Sequence, residues 1–301
     1  MTIAMFALTA LLWGCGALMT AFQNGIVPAP VSVAYRMAAA GLLLLSWSRI
    51  NHIRLDVRRT DALWVAAQGV LFFGFAFTAF YEATQRIASG LAALLLSTSS
   101  IFAALLGWAI LGIPVTRRVL GGAAIGVVGV ALIFAPQLTA LYDGHAGRPH
   151  GTFDLQYASG LAWAMVAAIA TAAGTVLGAR NQRRGIAASV ILGWGALVGA
   201  LVGALFCAAW ALATHSAFTF DLSLRYIGSL LYLAVAASCG AFMLYFELVQ
   251  RLGPGRAAYS LSLVPVIALT LSTLFEGLTP TAWIIAGAAT ILLGNVIVLK
   301  R

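Results

Sequence analysis

Nine runs of this 301-residue chain contain no Asp, Glu, Lys or Arg: 1–35, 62–81, 87–116, 119–142, 155–179, 185–220, 226–246, 257–275 and 277–299. Each approaches or exceeds the stretch of about 20 apolar residues that crosses a bilayer at 1.5 Å per residue. Hydrocarbon offers no water to backbone groups, so they must be paired within a helix or a closed barrel. A barrel needs short segments of alternating polarity, and these continuous runs do not alternate. The chain therefore reads as an all-α integral membrane protein. Its 62% hydrophobic and 8% charged residues agree, since a soluble domain carries about 25% charge. Pro28-Ala-Pro30 splits the first run, which gives ten predicted transmembrane helices near 2–22, 31–48, 62–82, 89–111, 117–135, 156–179, 187–213, 226–247, 256–275 and 281–299.

A formal charge of +9 could suggest nucleic acid as a partner, but the positions of the cations argue against it. With both termini cytoplasmic, thirteen of the seventeen cations fall on the cytoplasmic side: Arg49, Arg54, Arg58, Arg59, Arg117, Arg118, Arg180, Arg183, Arg184, Arg251, Arg256, Lys300 and Arg301. Only Arg86, Arg148 and Arg225 face out, and Arg36 lies inside a span. This is the positive-inside asymmetry of a multi-pass protein. Residues 1–22 have no basic n-region or small-residue cleavage site, so they read as a retained span. Cys15, Cys207 and Cys239 fall within spans and read as small apolar side chains without a disulfide.

Residues 82–129 recur at 247–294 without a gap, with 16 identities. Glu82, Gln85, Arg86, Gly90, Ser97, Gly112, Thr116, Gly122 and Gly129 return as Glu247, Gln250, Arg251, Gly255, Ser262, Gly277, Thr281, Gly287 and Gly294. Shared Ala or Leu means little in so apolar a chain, but a repeated Glu-x-x-Gln-Arg is specific. The chain divides into a first five-helix repeat (1–135), an extracytoplasmic linker (136–155) and a second five-helix repeat (156–301). An odd number of spans per repeat makes the second enter from the opposite side, which is inverted topology.

Both halves carry Gly-x-Ala-Ala-x-x-x-x-Ser, then Leu-Gly-x-x-x-Thr or Glu-Gly-x-x-x-Thr and a Gly-rich last helix. With Trp13-Gly14, Trp163, Ser262-Leu-Val-Pro265 and Phe275-Glu276-Gly277, this resembles the EamA-type domain of the drug/metabolite transporter superfamily over essentially the whole chain. In the first copy Ser100 stands where the family often has Pro, and Leu111 where an acidic residue is common. The resemblance implies a ten-helix secondary transporter, commonly an exporter of amino acids or other small metabolites, in a bacterial inner membrane.

The residues suggest a site between the halves, formed by predicted helices 1, 3, 4, 6, 8 and 9, with 5 and 10 as scaffold. Aromatic walls with a few polar tips suit a zwitterion with an apolar side chain. Trp13, Phe77, Tyr81, Trp163, Phe242, Tyr245 and Tyr259 are the aromatic candidates, weighed against packing or an interfacial belt. Ser97 and Ser100, like Ser262 and Pro265, are three apart and share a helix face. Proline cannot donate to the carbonyl one turn back, so a kink at Pro265 would open a polar spot; small-residue packing is the competing reading. Glu82–Arg86 and Glu247–Arg251 have the spacing of ion pairs at helix ends and could brace gates on opposite faces, with Gly90 and Gly255 as joints. Arg36 is read as snorkelling to the outer surface, a substrate carboxylate being the alternative.

No His-Glu-x-x-His metal site and no Gly-x-x-x-x-Gly-Lys-Ser/Thr loop is present, so neither a metal, a cofactor nor ATP is expected. No catalytic residue is assigned. The expected partners are a small-molecule substrate and the lipid bilayer, with a monomer or homodimer as the assembly. The reading is alternating-access export of aromatic or neutral amino acids or related metabolites, as a facilitator or by proton antiport. The alternative is a membrane-embedded enzyme or flippase acting on lipid-linked substrates.

Overall fold

The computed structural model describes residues 2–145, 154–214, 219–252 and 254–299, which are helical with no strand among them. The helices are α1 (Thr2–Ala21), α2 (Ala29–Ile50), α3 (Arg59–Thr84), α4 (Ser89–Leu111), α5 (Arg117–His145), α6 (Leu155–Arg183), α7 (Ala188–Thr214), α8 (224–252), α9 (Pro254–Phe275) and α10 (Ala282–Leu299). Among the described residues, eight helices are long and apolar enough to cross a membrane. The apolar stretches of α9 and α10, Ser260–Phe275 and Ala282–Val298, are shorter.

Local sequence accounts for the helix ends. Asp154 and Ser223 cap α6 and α8, accepting from the N–H of Tyr157 at 3.0 Å and of Tyr226 at 3.2 Å. The repeated glycines Gly112 and Gly277 end α4 and α9 with φ of 65° and 69°. In each case the next N–H turns back to the helix, Ile113 to the Gly107 carbonyl and Leu278 to the Ser272 carbonyl. The fifth helix runs past its expected end, through Pro136 to His145, so the first residues read as linker are helical.

Large apolar side chains such as Leu42, Trp108, Val127, Leu205, Phe206 and Leu293 point outward, while Ala, Gly, Ser and Thr fill much of the interior. Lipid removes the penalty on outward Leu and Phe, and small residues let backbones approach. One such close approach joins α5 to α10. A methyl at Gly122 would lie 2.7 Å from the Gly294 carbonyl oxygen, and one at Gly129 would lie 2.8 Å from that of Gly287. The pairing 122 with 294 and 129 with 287 makes the two helices antiparallel. Gly195, Gly199 and Gly203 act similarly on α7, against α3 and the start of α2.

Equivalent helices find equivalent neighbours. α2 packs on α7, α1 on α9 as α6 on α4, and α3 on α6 and α7 as α8 on α1 and α2. The ends also sort. Asn24 donates to the Thr84 carbonyl at 2.8 Å and Thr219 to the Ile26 carbonyl at 3.2 Å. The α1–α2, α3–α4 and α7–α8 loops therefore share one end of the bundle. Asp61 at the start of α3 pairs at the other end with Arg180 of α6 (3.2 Å) and with Arg184 at its C-cap (3.3 Å).

Candidate functional site

α3 and α8 each contain a π-helical stretch, Gly69–Ala76 and Tyr232–Gly240. Shifted by the repeat distance, the first falls on 234–241 and overlaps the second. Such widened turns recur at functional sites because they displace side chains and loosen the carbonyl ladder. Sequence periodicity carried no sign of them.

Aromatic rings gather beside both stretches. Trp13 packs edge-on to Phe242 at 5.1 Å and against Tyr245 at 5.5 Å. Phe72 bridges to Phe242 at 6.4 Å and to Phe77 at 6.0 Å, and Phe77 stacks on Phe73 at 6.1 Å. The repeat-related Phe77 and Phe242 thus belong to one group, joined by Trp13 and Tyr245. Its members Trp13, Phe72, Phe77, Phe242 and Tyr245 are only partly buried. Trp13 is held by a hydrogen bond from its indole Nε1 to the Ala237 carbonyl at 3.0 Å, within the α8 π stretch. Gly14 faces α9, where a methyl would lie 2.5 Å from Ile267. The Trp13-Gly14 pair therefore directs a ring to one helix and a bare backbone to another.

Arg36 overturns the snorkelling expectation, because it is 5% exposed. Its Nε donates to the Ser238 hydroxyl at 3.2 Å, and its guanidinium carbon lies 4.5 Å from the centroid of Phe77. Tyr81 is 1% exposed and donates to Gln23 Oε1 at 2.6 Å, while Gln23 Nε2 is buried without a partner. Helix packing of α2 against α7 and α8 closes the route to the surface, which no reading of α2 alone could reveal.

The serines separate from this group. Ser100 donates to Asn295 Oδ1 at 2.8 Å, and Asn295 Nδ2 donates to Ser97 Oγ at 3.1 Å, which ties α4 to α10. Ser97 and Thr98 also donate to the carbonyls of Leu94 and Leu95, both at 2.6 Å. These local bonds compete with the helix ladder and accompany its interruption there. Ser262 Oγ is buried without a partner, and α9 stays helical through Pro265. Trp163 packs on the core shared by α3, α4 and α6, apart from the Trp13 group. The side chain of Tyr259 and the surroundings of Gly255 lie outside the described residues.

Both repeated ion pairs form: Arg86 with Glu82 and Arg251 with Glu247, each at 2.6 Å. Gly90 is α-helical, and its bareness lets α4 lie on α9, since a methyl would sit 2.5 Å from the Ala268 carbonyl oxygen. Sequence reasoning missed a contact beside it. The N-cap of α4 is Ala88, which has no side chain to satisfy the first N–H groups. Glu276, just past the end of α9, supplies the acceptors: the Ser89 N–H reaches its carboxylate at 3.1 and 3.2 Å and the Ser89 hydroxyl at 2.6 Å. The Gly90 N–H donates to Ser272 Oγ at 2.6 Å, and Ser272 donates to Glu276. A carboxylate at a helix N-terminus gains from charge-assisted bonds and from the helix dipole.

A hollow of about 310 Å³ lined by Leu55, Asp56, Ala62, Val65 and Trp194 lies at the opposite end of α3 from Tyr81. It is not lined by the aromatic group. Among the described residues, no cluster of His, Cys, Asp or Glu could hold a metal.

The pattern of the EamA-like transporter family matches residues 1–135 and 158–300. A probable amino-acid metabolite efflux pump of Salmonella typhimurium (strain LT2) is 28% identical over 211 residues. That alignment covers 68% of this chain and 66% of the Salmonella protein. A solved crystal structure aligns over 98% of this chain and 95% of its own at a TM-score of 0.64 and 17% identity, so the fold is shared. The chain is a multi-pass membrane protein, and it belongs to the EamA-like transporter family.

Proposed function

We propose that the protein exports amino acids, aromatic or neutral, or related small metabolites, by alternating access between two inverted five-helix repeats. The observation that carries this reading is the pairing of repeat-related elements around one aromatic group. Glycines 122, 129, 287 and 294 cross at the α5–α10 contact as a two-fold axis in the membrane plane would require. Just past the two π stretches, the repeat-related Phe77 and Phe242 both meet the ring of Phe72, at 6.0 and 6.4 Å. The Salmonella relative, a probable amino-acid metabolite efflux pump, supports the substrate class.

The membrane is the bacterial inner membrane, with both termini cytoplasmic and the protein acting as a monomer or homodimer. In that orientation the Glu276 contact closes the outer end of the α4–α9 seam. Its repeat equivalent at the inner end would use Leu111, Gly107 and Pro254, none of which has a polar side chain. This asymmetry favours a resting state sealed outside. The Glu82–Arg86 and Glu247–Arg251 pairs brace the hairpins that follow them.

The test is flux of radiolabelled phenylalanine, tryptophan, leucine and alanine from proteoliposomes containing only this protein, with and without a pH gradient. Flux of the aromatic and neutral amino acids is expected, and equal rates in both conditions would mark a facilitator. No flux above empty liposomes for any of the four would sink the amino-acid reading.

A further inference from the structure

Arg36 poses a physical problem that its neighbours do not solve. It lies two turns inside α2, about 10 Å from the helix start at 1.5 Å per residue, and is 5% exposed. An ion held in so dry a place costs several kcal/mol unless a counterion meets it. Arg36 forms no ion pair among the described residues. Its described neighbours are neutral: Ser238 Oγ at 3.2 Å, the Phe77 ring at 4.5 Å and the Tyr81 hydroxyl.

The chain has only eight acidic residues, and those in ion pairs or caps are committed elsewhere. Asp61 pairs with Arg180 and Arg184, Glu82 with Arg86 and Glu247 with Arg251, while Glu276 caps α4. Asp154 caps α6, and Asp221 accepts from the Ser223 N–H before α8. The neighbouring group adds another donor and no acid. Gln23 Nε2, 2% exposed at the residue level, is unpartnered beside the Tyr81 bond.

We propose that Arg36, held between Ser238, Tyr81 and Phe77 at the edge of the aromatic group, is the binding site for the carboxylate of the transported molecule. This rests on the reading of that group as the transport site and names the chemistry of its substrate. A guanidinium has five N–H donors, of which the Ser238 bond uses one, and its planar fork matches a carboxylate. One buried cation, the only one among the described residues, suits one negative charge. The rings of Phe77, Phe72, Phe242 and Trp13 supply a surface for an apolar body. The ligand class is thus a monocarboxylate with an aromatic or bulky apolar group, which amino acids satisfy and their amides do not.

Binding to the purified full-length protein tests this independently of flux. The probes are 3-phenylpropionate and 3-phenylpropanamide, equal in shape and different in charge, read by thermal stabilisation and tryptophan fluorescence. The carboxylate is expected to bind at least about tenfold more tightly than the amide, the ratio for about 1.4 kcal/mol of charge-assisted bonding. In Arg36→Gln that ratio should fall to about one. Arg36→Lys keeps the charge and loses the fork, so it should lie between and serves if Arg36→Gln does not fold. Equal affinities in the unaltered protein, or an undiminished ratio in the variants, would overturn the proposal. Carboxylate selectivity without amino-acid flux would keep the Arg36 site while rejecting amino acids as cargo. Amino-acid flux without carboxylate selectivity would do the reverse.

Discussion

A methyl group added at Gly90 would lie 2.5 Å from the Ala268 carbonyl oxygen and 2.6 Å from Leu269 Cα. Backbone cannot rotate away as a side chain can, so Gly90→Ala must push α4 off α9 and strain the Glu276 cap. We expect a loss of about 1–3 kcal/mol, as for overpacking elsewhere, read as a lower thermal unfolding midpoint in detergent. Gly121→Ala is the control. It meets nothing within 4 Å and should be neutral or stabilising by up to about 1 kcal/mol from helix propensity alone. A similar drop for both variants would mean that the α4–α9 approach is not what Gly90 protects. Trp13 offers a second residue-scale comparison, because its indole N–H is tied to the α8 π stretch. Trp13→Phe keeps a ring and removes the donor, so the KM for aromatic amino-acid flux should rise about three- to tenfold, the equivalent of about 0.7–1.4 kcal/mol. Trp163→Phe should leave KM unchanged, since Trp163 packs on the other core. The reverse pattern would move the substrate contacts to α6.

Helices α4 and α9 show which structural facts a sequence can carry. Their apolar lengths, their terminal glycines and the equivalence of 90 with 255 are local or periodic signals, and all are visible before folding. The i, i+4 ion pairs are local as well. Glu276 is visible as an acid at a helix end, but its partner Ser89 is 187 residues away, and no periodicity connects them. The bonds of Asn295 to Ser97 and Ser100 are equally distant, and Asn295 has Val130 as its repeat equivalent, so duplication gave no hint of them. Arg36 was misplaced for the same reason: its burial is decided by α7 and α8, not by α2. The π stretches escape because an inserted backbone turn leaves composition unchanged. Glu276→Ala tests the cap at this scale. It removes the acceptors of the Ser89 N–H and hydroxyl, so a single cysteine at position 245 should become more reactive to an impermeant reagent from the α3–α4 loop side. An unchanged rate would show that the cap stabilises α4 without controlling access.

At the scale of the whole molecule, orientation rests on charge and two-foldness rests on packing, and the two are independent. The crossed glycines and the exchange of neighbours between repeats would look the same in either orientation. Only the cation distribution distinguishes the faces: Arg180 and Arg184 sit with Asp61 at the end opposite the Glu276 cap. In the orientation we propose, positive-inside insertion puts Arg184 in the cytoplasm and position 145 outside. Cysteines placed singly at positions 145 and 184, in a background lacking Cys15, Cys207 and Cys239, should react from opposite sides of the membrane. In intact cells the impermeant reagent should label position 145 and spare position 184 until the membrane is opened. Labelling of 184 alone would invert the molecule, and the Glu276 cap would then close the cytoplasmic end, making the sealed-outside resting state untenable. Labelling of both from one side would require an even number of spans between them, whereas α6 alone joins them in the bundle, and would refute the ten-span inverted arrangement itself.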